Sequence, residues 1–282
     1  MNPDQKNIFD AVSFSASRAT TRAYSTSFSS GIRLLNKRFR NPVYAIYGFV
    51  RFADEIVDTF HAYDKPALMA KFREDTMAAV KDGISLNPIL NSFQITFHQY
   101  HFNIELVEQF LHSMEMDLQA KNHDRGTFEN YILGSAEVVG LMCLKVFTER
   151  DDVKYNDLKS YAQTLGAAFQ KINFLRDVKA DFELLGRSYF PGLDLENFSE
   201  SEKINIQQEI EKDLAIAHEG IKQLPKDARL GVFVAYVYYR GLFKKIKSVP
   251  SHRIMQERIR IPNQQKLTLV LGCYLRNNLN LI

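Results

Sequence analysis

Apolar side chains recur at intervals of three and four residues along most of the chain, which is the spacing of one face of an α-helix. One run, over 41–60, predicts a helix with Pro42 at its start. The longest run predicts a helix over 157–185, with Gly186 as its cap and Pro191 preventing its continuation. Its apolar positions are Leu158, Tyr161, Leu165, Phe169, Ile172, Leu175, Val178, Phe182 and Leu185.

The same periodicity predicts further helices, while sustained alternation of the β type is hard to find. Turn residues separate the runs, but no stretch is long enough for a linker, and no repeat or shift in composition marks a boundary. We therefore expect an all-α protein with a single domain over residues 1–282. The further predicted helices cover about 8–27, 65–81, 88–100, 104–119, 128–148, 200–223, 228–247 and 265–278.

Composition excludes several classes of protein. Hydrophobic residues make up 45% and charged residues 24%, which rules out a disordered chain, a collagen-like chain and a coiled-coil rod. The 21 Phe and 13 Tyr, with only 8 Pro, favour a helical protein with a large core. A net charge of +3 is too small to indicate nucleic acid as a partner. Cys143 and Cys273 are too few for a disulfide framework and are interpreted as core residues in a reducing compartment.

A stripe of polar side chains interrupts the apolar pattern of the helix over 41–60. Asp54 and Asp58 are four residues apart, and Tyr47 and Arg51 extend the same stripe toward the N-terminus. Two like charges at this spacing destabilise a helix slightly unless something neutralises them.

A second stripe lies on the long helix over 157–185. Asn173, Asp177 and Asp181 again step by four, Gln170 stands one turn before them, and Arg176 sits beside them. One such pair of aspartates alone is common on a solvated helix face. Two stripes, each with an arginine nearby and each on an otherwise apolar helix, favour a functional site instead.

Two facing stripes would form a cage of oxygen ligands for Mg²⁺, or for Mn²⁺ in its place. Mg²⁺ prefers octahedral oxygen coordination and is commonly held by one or two carboxylates together with substrate phosphate oxygens. Arg51 and Arg176 would then bind diphosphate oxygens in fork geometry. Several carboxylates, Mg²⁺ and such cationic clamps fit a diphosphate leaving group better than a phosphoryl acceptor. The sequence has no glycine-rich phosphate loop of the Walker type.

These segments together resemble the squalene/phytoene synthase family, the head-to-head isoprenoid synthases, over nearly the whole chain. The two aspartate motifs and the trailing Arg-x-Tyr-x-Pro are the specific part of the resemblance. Its segments are 24–28, 44–58 with the first aspartate motif, 114–117, 134–140, 170–181 with the second, 187–191, 238–242 and 257–258.

The resemblance implies an all-α isoprenoid synthase bundle around a central apolar cavity. It assigns Asp54, Asp58, Asp177 and Asp181 as the acids that face Mg²⁺, with Asn173 assisting. The residues that it implies for contact with diphosphate or for holding that region are Ser25, Ser27, Tyr47, Arg51, Gln170, Asn173, Arg176, Tyr238 and Arg258. The chain departs from the family's pattern at Leu133, where a Tyr is frequent, at Glu137, where a small residue is frequent, and at Ala180, where a Glu is frequent.

The resemblance implies a prenyltransferase that condenses two allylic diphosphates through a cyclopropyl diphosphate. We expect phytoene from two geranylgeranyl diphosphates, without NADPH, because the length resembles the carotenoid branch. The alternative is dehydrosqualene or squalene synthesis from farnesyl diphosphate. A non-catalytic assembly or interaction protein is a further alternative, but such relatives typically lose aspartates of the two motifs. Head-to-tail elongation and terpene cyclisation share the metal chemistry but expect other aspartate spacings.

The sequence predicts a cytoplasmic protein. The polar start at Met1 to Asp10 lacks the apolar stretch of a signal peptide, and no apolar run approaches the roughly 18 residues of a membrane span. The basic run of Lys244, Lys245 and Lys247 is normally a solvated face. It would also favour peripheral contact with the anionic inner face of the cell membrane, where a greasy product must leave.

Overall fold

The described part of the chain consists of helices and connecting loops, with no strand. The structure, a computed structural model, describes residues 3–119, 123–185, 187–193, 198–262, 268–269 and 272–274, without the side chains of 3–4 and 180–185. The all-α prediction is confirmed. The helices are α1 (Pro3–Tyr24), α2 (Thr26–Leu34), α3 (Lys37–Asp58), α4 (Lys65–Asp82), α5 (Pro88–Gln99), α6 (Ile104–Gln119), α7 (Arg125–Ile132), α8 (Val138–Thr148), α9 (Asp152–Leu185), α10 (Glu200–Gln223), α11 (Lys226–Lys247) and α12 (Ser251–Ile254).

Several helix starts follow from local side-chain chemistry. Asp64 accepts a hydrogen bond from the backbone N–H of Ala67 and begins α4, while Asn87 does the same for Ile89 at the start of α5. Ser199 begins α10 with a complete capping box, in which the Glu202 side chain accepts from the Ser199 backbone N–H. These caps satisfy N–H groups that the helix itself leaves unpaired.

The helix predicted over about 8–27 is present as α1, but it begins earlier, at Pro3, and ends at Tyr24, because Ser25 separates it from α2. The Ser25 backbone is extended, and its side chain accepts a hydrogen bond from the Phe28 N–H at 3.1 Å, which starts α2. The start of α3 also differs. Asn36 caps that helix, so Pro42 lies inside it rather than at its first turn.

The predicted helix over 128–148 is interrupted by a π-helical turn, Leu133–Glu137, which joins α7 to α8. In such a turn each backbone bond spans five residues instead of four, and π turns occur frequently at functional sites. Leu133 and Glu137, two positions at which the chain departs from the family's pattern, lie at the ends of this turn. Leu133 packs against the apolar core, and Glu137 accepts a hydrogen bond from Gln163 of α9 at 3.0 Å.

The helices surround a large apolar core. Phe49 of α3 stacks on Phe93 of α5, with ring centroids 4.0 Å apart, and Phe110 of α6 joins them. Helix α9 packs against α10, α8 and the π turn, while α11 packs closely against α2. This packing leaves an open space between α2, α3, α9 and α11.

Among the described residues, Arg125–Thr148 is a helical stretch that is long and apolar enough to cross a membrane. The sequence analysis did not identify this stretch, although its mean hydropathy reaches 1.5 over an 18-residue window. Core helices share this composition, and 61% of the window is buried against the rest of the protein. The predicted helix over 265–278 lies mostly outside the described residues, and a single domain over 1–282 stays a prediction.

Candidate active site

A cavity of about 690 Å³ opens between the helices. Along α3 its lining changes from apolar at Val43 and Ile46 to charged at Asp54 and Asp58. Helix α9 changes in the same sense, from mostly apolar side chains over 158–169 to mostly polar ones over 170–177, with Phe174 among them. The cavity therefore has an apolar part, formed by the first halves of both helices, and a polar part, formed by their second halves.

The predicted site residues meet at this cavity. Asp181 is the exception, because its side chain lies outside what the structure describes. The structure thus brings both stripes to one space, while the chemical role of each residue stays a prediction. The predicted residues that line the cavity are Ser25, Ser27, Tyr47, Arg51, Asp54, Asp58, Gln170, Asn173, Arg176, Asp177, Tyr238 and Arg258.

Arg51 is held by acids on its own helix and by an aromatic ring. Its guanidinium forms an ion pair with Glu55 and lies 4.0 Å from the Asp54 carboxylate. It also stacks over the ring of Tyr24, 4.3 Å from the ring centroid. The Arg51 Nε atom is buried and has no hydrogen-bond partner among the described residues, so the side chain has a donor left for a ligand in the cavity.

Asp54 lies where a negative charge is costly. Desolvation by the surrounding protein raises its pKa to about 7, and the neighbouring charge of Asp58 adds to this shift. Arg51 acts in the opposite direction but does not cancel the other two effects. A cation near Asp54 would remove this cost, which is the behaviour expected of a metal-facing carboxylate.

Asp58 connects to a buried network that the stripes did not predict. Arg187 donates to the Asp58 carboxylate at 3.0 Å and to the Asp117 backbone oxygen at 2.7 Å. Asp117 is 3% exposed and accepts hydrogen bonds from the hydroxyls of Tyr131, at 2.6 Å, and Tyr189, at 3.2 Å. Burial raises the pKa of Asp117 to about 7, against the effect of Arg187. Asp117 and Arg187 lie in two segments that carry the family resemblance, and this is the feature of the sequence from which they could have been identified.

Asp177 is enclosed by two arginines. Arg176 donates to it from Nε at 3.0 Å, and the Arg258 Nε lies 2.7 Å from the same carboxylate. Burial alone would lower the pKa of Arg176, but the hydrogen bond and charge of Asp177 raise it instead. Arg258 is 48% exposed, so it can turn toward an anion that enters the cavity.

Next to Asp177, an amide and an aromatic layer complete the polar part. Tyr239 donates to the Asn173 side-chain oxygen at 3.2 Å, and burial raises the pKa of Tyr239 to about 12. The ring of Tyr239 stacks on Phe169 at 3.9 Å, and Phe28 lies 5.8 Å from Tyr239 and 5.8 Å from Tyr47. The aromatic layer of Phe28, Phe169 and Tyr239 thus adjoins Asn173 on the apolar side. Sequence reasoning selected Tyr238 and missed Tyr239.

The donor set fits a divalent metal that shares its coordination with a ligand. Among the residues with described side chains, no three Asp, Glu, His or Cys stand close enough together to hold an ion alone. Asp54, Asp58 and Asp177 line the cavity from two helices. Mg²⁺ is usually bound through one or two carboxylates, with substrate phosphate oxygens supplying further ligands.

Known proteins are similar to this chain over most of its length. The family described as squalene/phytoene synthase matches residues 21–265. A phytoene synthase of Arthrospira platensis is 27% identical and covers 90% of both chains, and a presqualene diphosphate synthase of Zymomonas mobilis is 30% identical over 76% of this chain and 71% of its own. The crystal structure of a dehydrosqualene synthase with a ligand superposes with a TM-score of 0.82 at 21% identity, covering 98% of this chain and 99% of that one.

Proposed function

Because this chain belongs to the squalene/phytoene synthase family, we propose that it condenses two geranylgeranyl diphosphates head to head, through prephytoene diphosphate, to phytoene. The proposal rests on one observation above the others. Acids and arginines from α3 and α9 line the polar part of a single cavity whose remainder is apolar. Such a cavity can hold a charged diphosphate at one end and a prenyl chain at the other. Relatives named phytoene synthase support the choice of product.

Departure of diphosphate requires positive charge near the leaving oxygens. Arg51, Arg176 and Arg258 line the polar part and would bind diphosphate oxygens. Members of this family use a divalent metal with their diphosphate substrates. When bound by Asp54, Asp58 and Asp177, Mg²⁺ or Mn²⁺ would neutralise part of the charge that develops on the leaving group.

The allylic cation that remains must be kept from water. Phe28 and Phe169, with Tyr239, place aromatic rings beside the polar part, where their negative faces can stabilise a cation. The apolar part beyond them excludes water from the reacting carbons. The double bond of the second prenyl chain then attacks the cation, and loss of a proton closes the cyclopropane ring.

Released diphosphate is our candidate for the base that takes the proton lost on ring closure and the proton lost when phytoene forms. No histidine is among the described residues that line the cavity. Burial raises the pKa of the Cys143 thiol, which lines the cavity, to about 12, so this cysteine does not supply a thiolate. A diphosphate held by Arg51 and Arg176 would remain within reach of the carbons that it has just left.

The preference for a C20 chain is supported by the small residues of α10 and α11 that line the apolar part. Ala217 and Ala235 line it with short side chains that leave room for a ligand. Gly220 and Gly231 also line it, but Tyr161 and Leu35 pack onto them and fill the space beside them. A C15 substrate is the alternative. It is supported by relatives named diapophytoene synthase and presqualene diphosphate synthase. A non-catalytic assembly role is disfavoured because the acids of both motifs are present.

A product assay tests this proposal. The purified chain is incubated with Mg²⁺ and either geranylgeranyl or farnesyl diphosphate, with and without NADPH, and the hydrocarbon is identified. We expect phytoene from the C20 substrate and no dependence on NADPH. Turnover of the C15 substrate alone would replace the proposed substrate, and no diphosphate release from either would overturn the enzymatic function.

We further propose that the protein is cytoplasmic and contacts an anionic membrane peripherally, because a C40 hydrocarbon has to leave into lipid. Lys244 is exposed, whereas Lys245 donates to the Arg260 backbone oxygen and Lys247 pairs with Glu211. Flotation with anionic liposomes should carry part of the protein upward, and less of a Lys244→Glu variant. Protein that stays wholly in solution would contradict the contact.

A further inference from the structure

One buried hydroxyl in the cavity wall has no hydrogen-bond partner within the part of the chain that the structure describes. Ser135 lines the cavity, its Oγ is shielded from solvent, and this atom makes no hydrogen bond within the described structure. A buried hydroxyl without a partner costs about 1–3 kcal/mol. A ligand in the cavity would offset that cost by interacting with the hydroxyl.

The π turn explains why Ser135 is unpaired. Hydroxyls inside α-helices commonly donate to the carbonyl four residues earlier. Ser135 lies in the turn Leu133–Glu137, where the backbone bonds span five residues, so the preceding carbonyls are displaced. Several helical hydroxyls of this chain do donate four residues back, among them those of Ser13, Thr21, Thr96 and Thr164, at 2.9 to 3.0 Å.

Packing against α9 fixes the depth of Ser135 in the cavity. The ring of Tyr131, one turn before Ser135, lies 5.9 Å from that of Phe174. The next residue, Ala136, lies against Gly166, where an added Cβ would come within 2.5 Å of the Ala136 oxygen. Ser135 therefore lies at a level between Gly166 and Phe174, where the lining changes from apolar to polar.

We propose that Ser135 is a catalytic residue whose oxygen faces the allylic carbons that become positively charged. This inference rests on the proposed function. When diphosphate occupies the polar part, the first carbons of the prenyl chain lie at the level of the change in lining, and so does Ser135. A hydroxyl oxygen carries partial negative charge, which stabilises a cation strongly in a cavity of low dielectric constant. Its low basicity lets it do so without removing a proton.

The experiment measures steady-state kinetics and products of the full chain with Mg²⁺ and the prenyl diphosphate that the wild type turns over fastest. For Ser135→Ala we expect kcat to fall about tenfold while KM stays within about twofold, because the lost interaction forms with the cation and not with the substrate. More of the cyclopropyl diphosphate should also be released, since its second ionisation passes through another cation. Ser135→Thr keeps the hydroxyl and should restore both values.

Ser113→Ala is the matched control. Ser113 is buried on α6, donates to the Phe110 oxygen at 2.7 Å and lies against Gly134 of the same π turn, but it does not line the cavity. Its variant should keep the wild-type kcat and product ratio. If Ser135→Ala loses its helical circular dichroism, Ser135→Cys replaces it, with a smaller fall in kcat expected.

Wild-type kcat and product ratio in the folded Ser135→Ala variant, or in the Ser135→Cys variant that replaces it, would overturn this inference and leave the proposed function standing. A wild type that turns over no prenyl diphosphate would overturn the proposed function, and this inference with it.

Discussion

Arg187 links α3, α6 and the loop after α9 through a single guanidinium. Its side chain is 7% exposed and donates to Asp58, to the Tyr189 hydroxyl and to the backbone oxygens of Val57 and Asp117. Burial alone would lower the pKa of Arg187, but the charge of Asp117 raises it. The guanidinium therefore compensates a carboxylate that is itself removed from water, and it fixes the end of the first aspartate stripe.

Replacing Arg187 should destabilise the fold strongly. In Arg187→Met the Asp117 carboxylate stays buried without its cation, and removal of one partner from a buried ion pair costs about 3–5 kcal/mol. Urea denaturation followed by circular dichroism measures the change in unfolding free energy. Arg22→Met is the control, because Arg22 is exposed on α1 and should change stability by less than about 0.5 kcal/mol. Equal stability of the two variants would contradict the role given to Arg187.

At the scale of single residues, the sequence predicted those site residues that recur at the spacing of a helix turn. Asp54, Asp58 and Asp177 belong to stripes with regular spacing, and the structure places all three at the cavity. Arg187 and Asp117 have no such pattern, because their contact joins positions 70 residues apart in two different segments. Only the folded chain brings them together.

At the scale of the elements, two glycines let α9 approach the π turn and α8. A Cβ on Gly166 would lie 2.5 Å from the Ala136 backbone oxygen, and one on Gly140 would lie 2.6 Å from the Ala162 oxygen. Backbone atoms cannot move aside as a flexible side chain can, so any larger residue would separate the helices. This close crossing forms the part of the cavity wall that carries Ser135.

Gly166→Ala should destabilise the protein by about 1–3 kcal/mol, because overpacking outweighs the better helix propensity of alanine. Gly241→Ala is the matched change inside α11, where the added Cβ would meet Ile261 at 3.5 Å, an ordinary contact. It should stabilise by up to about 1 kcal/mol. Thermal unfolding of both variants measures the difference, and a stabilising Gly166→Ala would show that this crossing is not tightly packed.

Hydrophobic periodicity predicted most of the helices but not their interruptions. Ser25 caps α2 with its side chain, and the π turn packs between α6 and α9. Neither feature changes the spacing of the apolar residues. Both interruptions nevertheless position polar groups at the cavity, namely Ser25 and Ser135. The pattern that reveals a helix is thus least informative where the helix is irregular.

For the whole molecule, the central feature is the cavity that α3 and α9 line together. Each contributes an apolar first half and a polar second half to the same cavity. A sequence shows the order of residues along each helix, and the family resemblance implied a central cavity. Which side chains line it, however, depends on how α2, α10 and α11 pack around it, and no single segment contains that information.

The most direct test of this arrangement is diphosphate release from a prenyl diphosphate by Asp58→Ala and Asp177→Ala variants. Each removes a carboxylate from one of the two helices, so we expect release to be abolished while the helical circular dichroism stays that of the wild type. Asp157→Ala is the control, because the Asp157 side chain is exposed on α9, and this variant should release diphosphate at the wild-type rate. Activity retained in both Asp58→Ala and Asp177→Ala would contradict a site built from the two acidic stripes.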